Sequence, residues 1–184
     1  MTIKTVLRLG DPILQQRSIE VDDPDSYETQ VIIEDMFDTM HEYKGAGLAA
    51  PQIGILKRIV IFGFESNPRY PDVDSIPETI LINPVIEILS TEKKDDWEGC
   101  LSVPGLRGLV SRPDHIRYSG YDKNGAYIEK EVKGFHARVV QHECDHLDGI
   151  LYVQRMKDMT KFGFISELEQ NDIYNSSLCD TCEE

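Results

Sequence analysis

Residues 141–149, QHECDHLDG, gather the side chains best suited to chemistry in this chain. His142 and His146 are four apart, so on a helix they stand one above the other and both imidazoles can reach one metal ion. Glu143 borders the same face, three residues before His146, within reach of a water beside such an ion. Two histidines leave the site one protein ligand short. No histidine follows His146; Glu167 and Glu169 qualify on spacing alone, in the manner of a zinc endopeptidase with a downstream carboxylate. Upstream, Cys100 in WEGCLSVPG offers a thiolate, a strong ligand for a borderline or soft metal. Taken singly, Cys100 reads as a small buried apolar residue and Gln52 as a turn residue after Pro51. Two nitrogens, one sulfur and a water suit zinc by geometry, and the same ligands admit iron, cobalt or nickel.

The elements that must hold these residues can be read from pattern. DPDSYETQVIIEDMFDTMHEYKGAG predicts a helix with Asp25 or Ser26 at its N-cap and an apolar stripe of Ile33, Met36, Phe37, Met40 and Tyr43. Strands are expected at 58–64, 78–89, 115–121 and 126–132, with Asn124-Gly125 turning a hairpin between the last two. A second helix should run from about Gly134 to Asp148, with Phe135, Val139, His142 and His146 on one stripe and Gly149 ending it. ILYVQRM then reads as a last strand, Thr160 to Gln170 as a short helix, and the remainder as a polar tail. Helices and strands do not alternate regularly, which favours an α+β fold.

The chain has 184 residues and 40% hydrophobic content, enough for one domain with a real core. With no repeat or linker in view, a single catalytic domain at 1–170 and a polar, flexible tail at 171–184 are expected. Apolar runs such as IVIFGF are too short to span a membrane, and the start, MTIKTVLRLGDP, lacks the apolar region of a secretory signal. Net charge is −14 with a pI near 4.7, and no cluster of Lys and Arg stands out, which argues against direct nucleic-acid binding. Cys100, Cys144, Cys179 and Cys182 could form two disulfides, but a chain of this size does not need them, so a reduced cytoplasmic protein is the simpler reading. Cys179 and Cys182 form a C-x-x-C that reads as part of the tail, since no second pair accompanies it.

GAGLAAPQ at 45–52, EGCLS at 98–102 and QHECDHL at 141–147 together resemble the peptide deformylases, whose pattern is G-x-G-L-A-A-x-Q, E-G-C-L-S and Q-H-E-x-D-H-L in that order. The resemblance runs from about residue 1 to 165. It implies mainly antiparallel sheets packed around a central helix carrying the H-E-x-x-H motif. It also implies removal of the N-formyl group from the initiator methionine of new polypeptides, with release of formate. By resemblance Cys100 is the third ligand beside His142 and His146, with the fourth position left to water, and Fe2+ is the working metal with zinc, nickel or cobalt as substitutes. Glu143 becomes the general base. Gln52 and the Leu101 N–H become donors to the oxyanion.

The same resemblance suggests that the peptide pairs as an added strand between the Ala46 and Gly99 backbones, where Gly45 and Gly47 allow close approach. Arg107 matches a position that contacts the peptide further along. Glu98 and Arg112 match a pair near the methionine pocket, which on general grounds would be a surface salt bridge of little value. Ala46 stands where Ile or Val is frequent, and Arg138 where an apolar residue often lines the pocket. The acidic end SLCDTCEE is unlike the basic helix that docks some members on the ribosome, so that route does not carry over and only transient ribosome proximity is expected. A non-catalytic metal-binding protein is the remaining alternative, and Glu143 argues against it because such a site has no use for a base.

Overall fold

The computed structural model describes residues 2–66 and 73–176. Ser26 starts α1 (Tyr27–Glu42) by accepting the Thr29 N–H on its Oγ, a cap that contributes about 1 kcal/mol. The buried stripe of α1 is Ile32, Ile33, Met36 and Met40, with Phe37 half-buried; Tyr43 lies past the helix end and is exposed. The hairpin expected at Asn124-Gly125 forms, with residue pairs running from Tyr121 and Tyr127 to His115 and Lys133.

Five antiparallel strands make the larger sheet: β1 (Gly47–Ala49), β2 (Ile59–Phe64), β3 (Ile76–Ile88), β6 (His115–Tyr121) and β7 (Tyr127–Lys133), in the order β1-β2-β3-β6-β7. β4 (Lys93–Cys100), β5 (Val103–Pro113) and β8 (Phe162–Phe164) form a second antiparallel sheet in the order β4-β5-β8. Every residue of β2 is buried because helices cover both faces of the larger sheet. Ile59 and Ile61 pack with Met36 and Met40 of α1, whereas Val60 and Phe62 pack with Val139 and Val140 of α2 (Gly134–Leu147). The far side of α2 meets the smaller sheet, so this helix is enclosed along most of its length and even Arg138, His142, Glu143 and His146 are buried. The result is an α+β arrangement of mainly antiparallel sheets around α2. Gly149, with φ of 72°, takes the left-handed turn that ends it.

Three expectations need correction. ILYVQRM is not a strand: Tyr152–Gln154 form a 3-10 turn in which the Gln154 side chain accepts the Leu151 N–H at 2.7 Å. Leu151 and Tyr152 are buried in a core shared with Cys100 and Val110, so the apolar run reflects burial rather than a ladder. The last strand is the short β8, and α3 (Ile165–Gln170) fills only the later half of the stretch expected to be helical from Thr160. Finally, β4 and β5 were not expected, because β4 reads KKDDWEGC and β5 is interrupted by Gly and Pro. A further helix, α4 (Ile173–Ser176), follows α3, and its Tyr174 ring lies 5.1 Å from that of Trp97 in β4. Cys179 and Cys182 lie outside the described residues.

Candidate metal centre

β4 and β5 pair at Cys100 and Val103, so Leu101 and Ser102 make a tight turn that leaves Cys100 at the mouth of the hairpin, facing α2. His142 and His146 lie one turn apart on α2, their ring centroids 5.1 Å apart. Donor atoms of Cys100, His142 and His146 all lie within 4.8 Å of one another, and all three residues are buried. Cys100 Sγ is 3.3 Å from His146 Nε2. Glu167 and Glu169 sit exposed on α3 and belong to no such group among the described residues.

The electrostatics suit a cation. Burial opposes ionisation of the Cys100 thiol, but His146 and His142 outweigh it and hold the thiol well below its ordinary range. Burial would likewise raise the Glu98 carboxyl, yet Arg112 and the His142 hydrogen bond keep it well below the usual carboxylate range. His142 Nδ1–H donates to Glu98 Oε2 at 2.8 Å, which leaves Nε2 as the nitrogen available to a metal. Buried S and N donors that converge, one of them a thiolate, fit a divalent transition metal.

Glu98 and Arg112 are not a surface pair. Arg112 Nε and Nη2 bind the two Glu98 oxygens at 2.6 and 2.9 Å, with both residues buried. Arg112 Nη1 also reaches Asp145 of α2 at 2.8 Å. Removing one partner of a buried pair costs roughly 3–5 kcal/mol, far above a surface bridge.

Glu143 Oε2 is buried without a hydrogen-bond partner. Burial pushes the Glu143 carboxyl up to about 7, against the lowering influence of His142 and His146. Gln52 is 1% exposed: its Oε1 accepts the Ala49 N–H at 2.9 Å, and its Nε2 donates to Ser102 Oγ at 3.1 Å and faces Cys100 Sγ at 3.4 Å. Gly45, Ala46, Gly47, Gln52, Gly99 and Leu101 all line one cavity with Cys100, His142 and Glu143. Trp97, Phe135 and Val139 supply its apolar wall, and Arg138 also lines it.

β1 and β4 are both edge strands, one from each sheet, and their residues border this cavity. The Ala46 carbonyl accepts the Gly63 N–H at 3.0 Å, so it is turned toward β2. Arg107 is buried beside the cavity with its guanidinium in the space a Gly99 side chain would need. The sequence pattern singled out Cys100, His142, His146, Glu143 and Gln52, and the fold brings these residues together. The pattern missed Ser102 as the partner of Gln52, although the serine stands inside EGCLS. It also gave no sign that Glu98 orients His142, or that Arg138 is bound to Glu98.

Comparison with known proteins follows the same lines. The family model for polypeptide deformylase matches residues 3–162. Peptide deformylase 1 of Bordetella pertussis is 60% identical over 166 residues, 90% of this chain and 94% of that protein. Peptide deformylase 1 of Nitrosomonas europaea is 55% identical over the same shares. Among solved structures, the Met-Ala-Ser-bound class I type b peptide deformylase of Acinetobacter baumannii superposes with a TM-score of 0.81 at 38% identity, covering 84% of this chain and 99% of that one.

Proposed function

The chain belongs to the polypeptide deformylase family, and on that premise we propose which of its residues carry the reaction. The activity is metal-dependent hydrolysis of the formyl group from the amino terminus of nascent polypeptides. Cys100, His142 and His146 are the ligands we assign. The supporting observation is the convergence of these three buried donors beside an unpartnered Glu143 oxygen. A divalent ion held there supplies a Lewis acid and lowers the pKa of water beside it. Fe2+ is the metal we assign, from the family likeness; the thiolate and two imidazoles also accept Zn2+, Ni2+ or Co2+.

Glu143 Oε2 takes the proton of the water that attacks the formyl carbon, and later gives it to the departing amine. Burial raises its carboxyl above the ordinary range, which strengthens it as a proton acceptor. Negative charge on the formyl oxygen falls to Gln52 Nε2 and the Leu101 N–H, each contributing roughly 3 kcal/mol when aimed at the transition state. The bond from the Ala49 N–H to Gln52 Oε1 holds that amide in place.

The peptide is read as a strand laid between the β1 and β4 edges. Because main-chain groups alternate along a strand and Ala46 is turned toward β2, Gly47 is the β1 residue whose polar groups face outward. Arg107, over Gly99, is assigned to the peptide further along. The methionine side chain fits the wall of Trp97, Phe135 and Val139. Residues 1–170 are read as the catalytic unit, to which α4 adds Tyr174 against Trp97, so the expectation of a tail from residue 171 does not hold for that helix. The compartment suited to formylated nascent chains is the cytoplasm, and no helix among the described residues is long and apolar enough to cross a membrane.

The test is formate release from formyl-Met and acetyl-Met peptides of the same sequence. A formyl carbon bears only hydrogen, so the closed site should cleave it far faster. Comparable rates on both would contradict this assignment and indicate a general amidase.

A further inference from the structure

Cys100 sits at the end of β4, whereas His142 and His146 sit on α2, so the metal geometry depends on how firmly strand and helix are joined. Arg138 lies on α2 one turn before His142 and is 6% exposed. Its Nη1 donates to Glu98 Oε1 at 2.7 Å and to the Val110 carbonyl at 2.8 Å. Its Nη2 donates to the Lys94 carbonyl at 2.7 Å. One guanidinium thus ties α2 to both β4 and β5.

The Glu98 carboxylate is shared in a particular way. Oε1 takes Arg138 Nη1 and Arg112 Nε, while Oε2 takes Arg112 Nη2 and His142 Nδ1. Arg112 also holds Asp145, so α2 is fastened to the smaller sheet on both sides of His142 along its axis. Arg138 lines the cavity, but its hydrogen bonds are directed into the protein, toward the groups that support the ligands.

We propose that Arg138 is a positioning residue for the metal centre, clamping the His142 helix to the Cys100 strand and fixing the Glu98 carboxylate that orients His142. It is not a wall of the side-chain pocket alone. The inference rests on Cys100, His142 and His146 being the ligands. Partners of this kind, once lost, typically cost about 10–100-fold in metal affinity or activity. Lysine cannot replace Arg138, because a single nitrogen cannot reach Glu98, Val110 and Lys94 from one fixed fork.

The experiment compares the full chain with Arg138→Met, Arg138→Lys and Cys100→Ala, each stripped of metal and titrated with Co2+ against a competing chelator. The visible spectrum of the Co2+ form and kcat and KM on a formyl-Met peptide are recorded alongside. Arg138→Met should bind Co2+ about 10–100-fold more weakly, with shifted visible bands and a larger fall in kcat than rise in KM. Arg138→Lys should fall between it and the parent. Parental affinity and spectrum in Arg138→Met, with change confined to KM, would overturn the proposal. If Arg138→Met does not fold, parental affinity in Arg138→Lys would overturn it equally. Retention of Co2+ by Cys100→Ala would instead remove the ligand assignment, and this proposal with it.

Discussion

The Glu143 carboxylate lies against the main chain of Gly47, so that a Cβ at Gly47 would stand 2.5 Å from Glu143 Oε1 and 2.8 Å from Cδ. This joins the first strand of the larger sheet to the acid of the H-E-x-x-H helix. It also gives Gly47 a reason beyond backbone freedom: no side chain fits between that strand and Glu143. Gly47→Ala should therefore push Glu143 aside without disturbing the ligands. Turnover should fall about 100-fold, as expected for a misplacement near 1 Å, while metal content stays at the parental level. Steady-state kinetics with metal analysis on the same preparation checks this, and unchanged kcat would show that Glu143 tolerates the shift.

Glu143→Gln should keep fold and metal and lose roughly 10²–10⁴ in kcat, because only the proton acceptor is removed. Circular dichroism and metal content establish the first part, and formate release the second. Near-normal turnover at full metal would take Glu143 out of the mechanism.

His136 provides a pH test away from the centre. Its ring lies among Phe62 and Tyr118, and burial, with help from Lys130, lowers its pKa to about 4 from an ordinary value near 6.5. Below pH 6.5 the unfolded chain binds a proton that the folded chain refuses until about pH 4, so stability is lost as pH falls through that window. His136→Phe should flatten the loss. Because the ring is only partly buried, the discounted effect is about 1 kcal/mol, or roughly 2–4 °C in Tm between pH 7 and 4.5. Parallel Tm profiles for parent and variant would contradict it.

Trp97 is the single tryptophan and lines the cavity, with Tyr174 of α4 packed on it. Tyr174→Ala should shift the fluorescence emission to the red and raise KM for formyl-Met peptides more than it lowers kcat. Emission and KM both unchanged would show that the contact has no bearing on the pocket.

The parts legible in the sequence were those with strong local periodicity or dense chemistry. α1, α2 and the pairing of β6 with β7 follow from apolar spacing, caps and the Asn124-Gly125 turn. The smaller sheet was illegible because the first half of β4 is charged and largely exposed, while Trp97, Glu98 and Cys100 in its second half are buried by contacts distant in sequence, so the strand shows no alternation. The same long-range packing hid the Glu98 network. A Glu and two Arg separated by 14 and 40 positions give no local pattern, and only the fold makes them neighbours. ILYVQRM misled for the opposite reason: its apolar residues fill a core from a 3-10 turn.

The central claim is that Cys100 completes the metal site with His142 and His146, and the most direct measurement compares Cys100→Ala with Cys144→Ala. Cys144 is on the same helix as the histidines but packs in the core behind them, where burial pushes its thiol up, so it is an inert control. Metal stoichiometry of the purified proteins, with formate release on the same samples, gives the answer. Cys100→Ala should lose most of its metal and turnover, and Cys144→Ala should keep both. Full metal and activity in Cys100→Ala would show that the third ligand lies elsewhere and contradict the account.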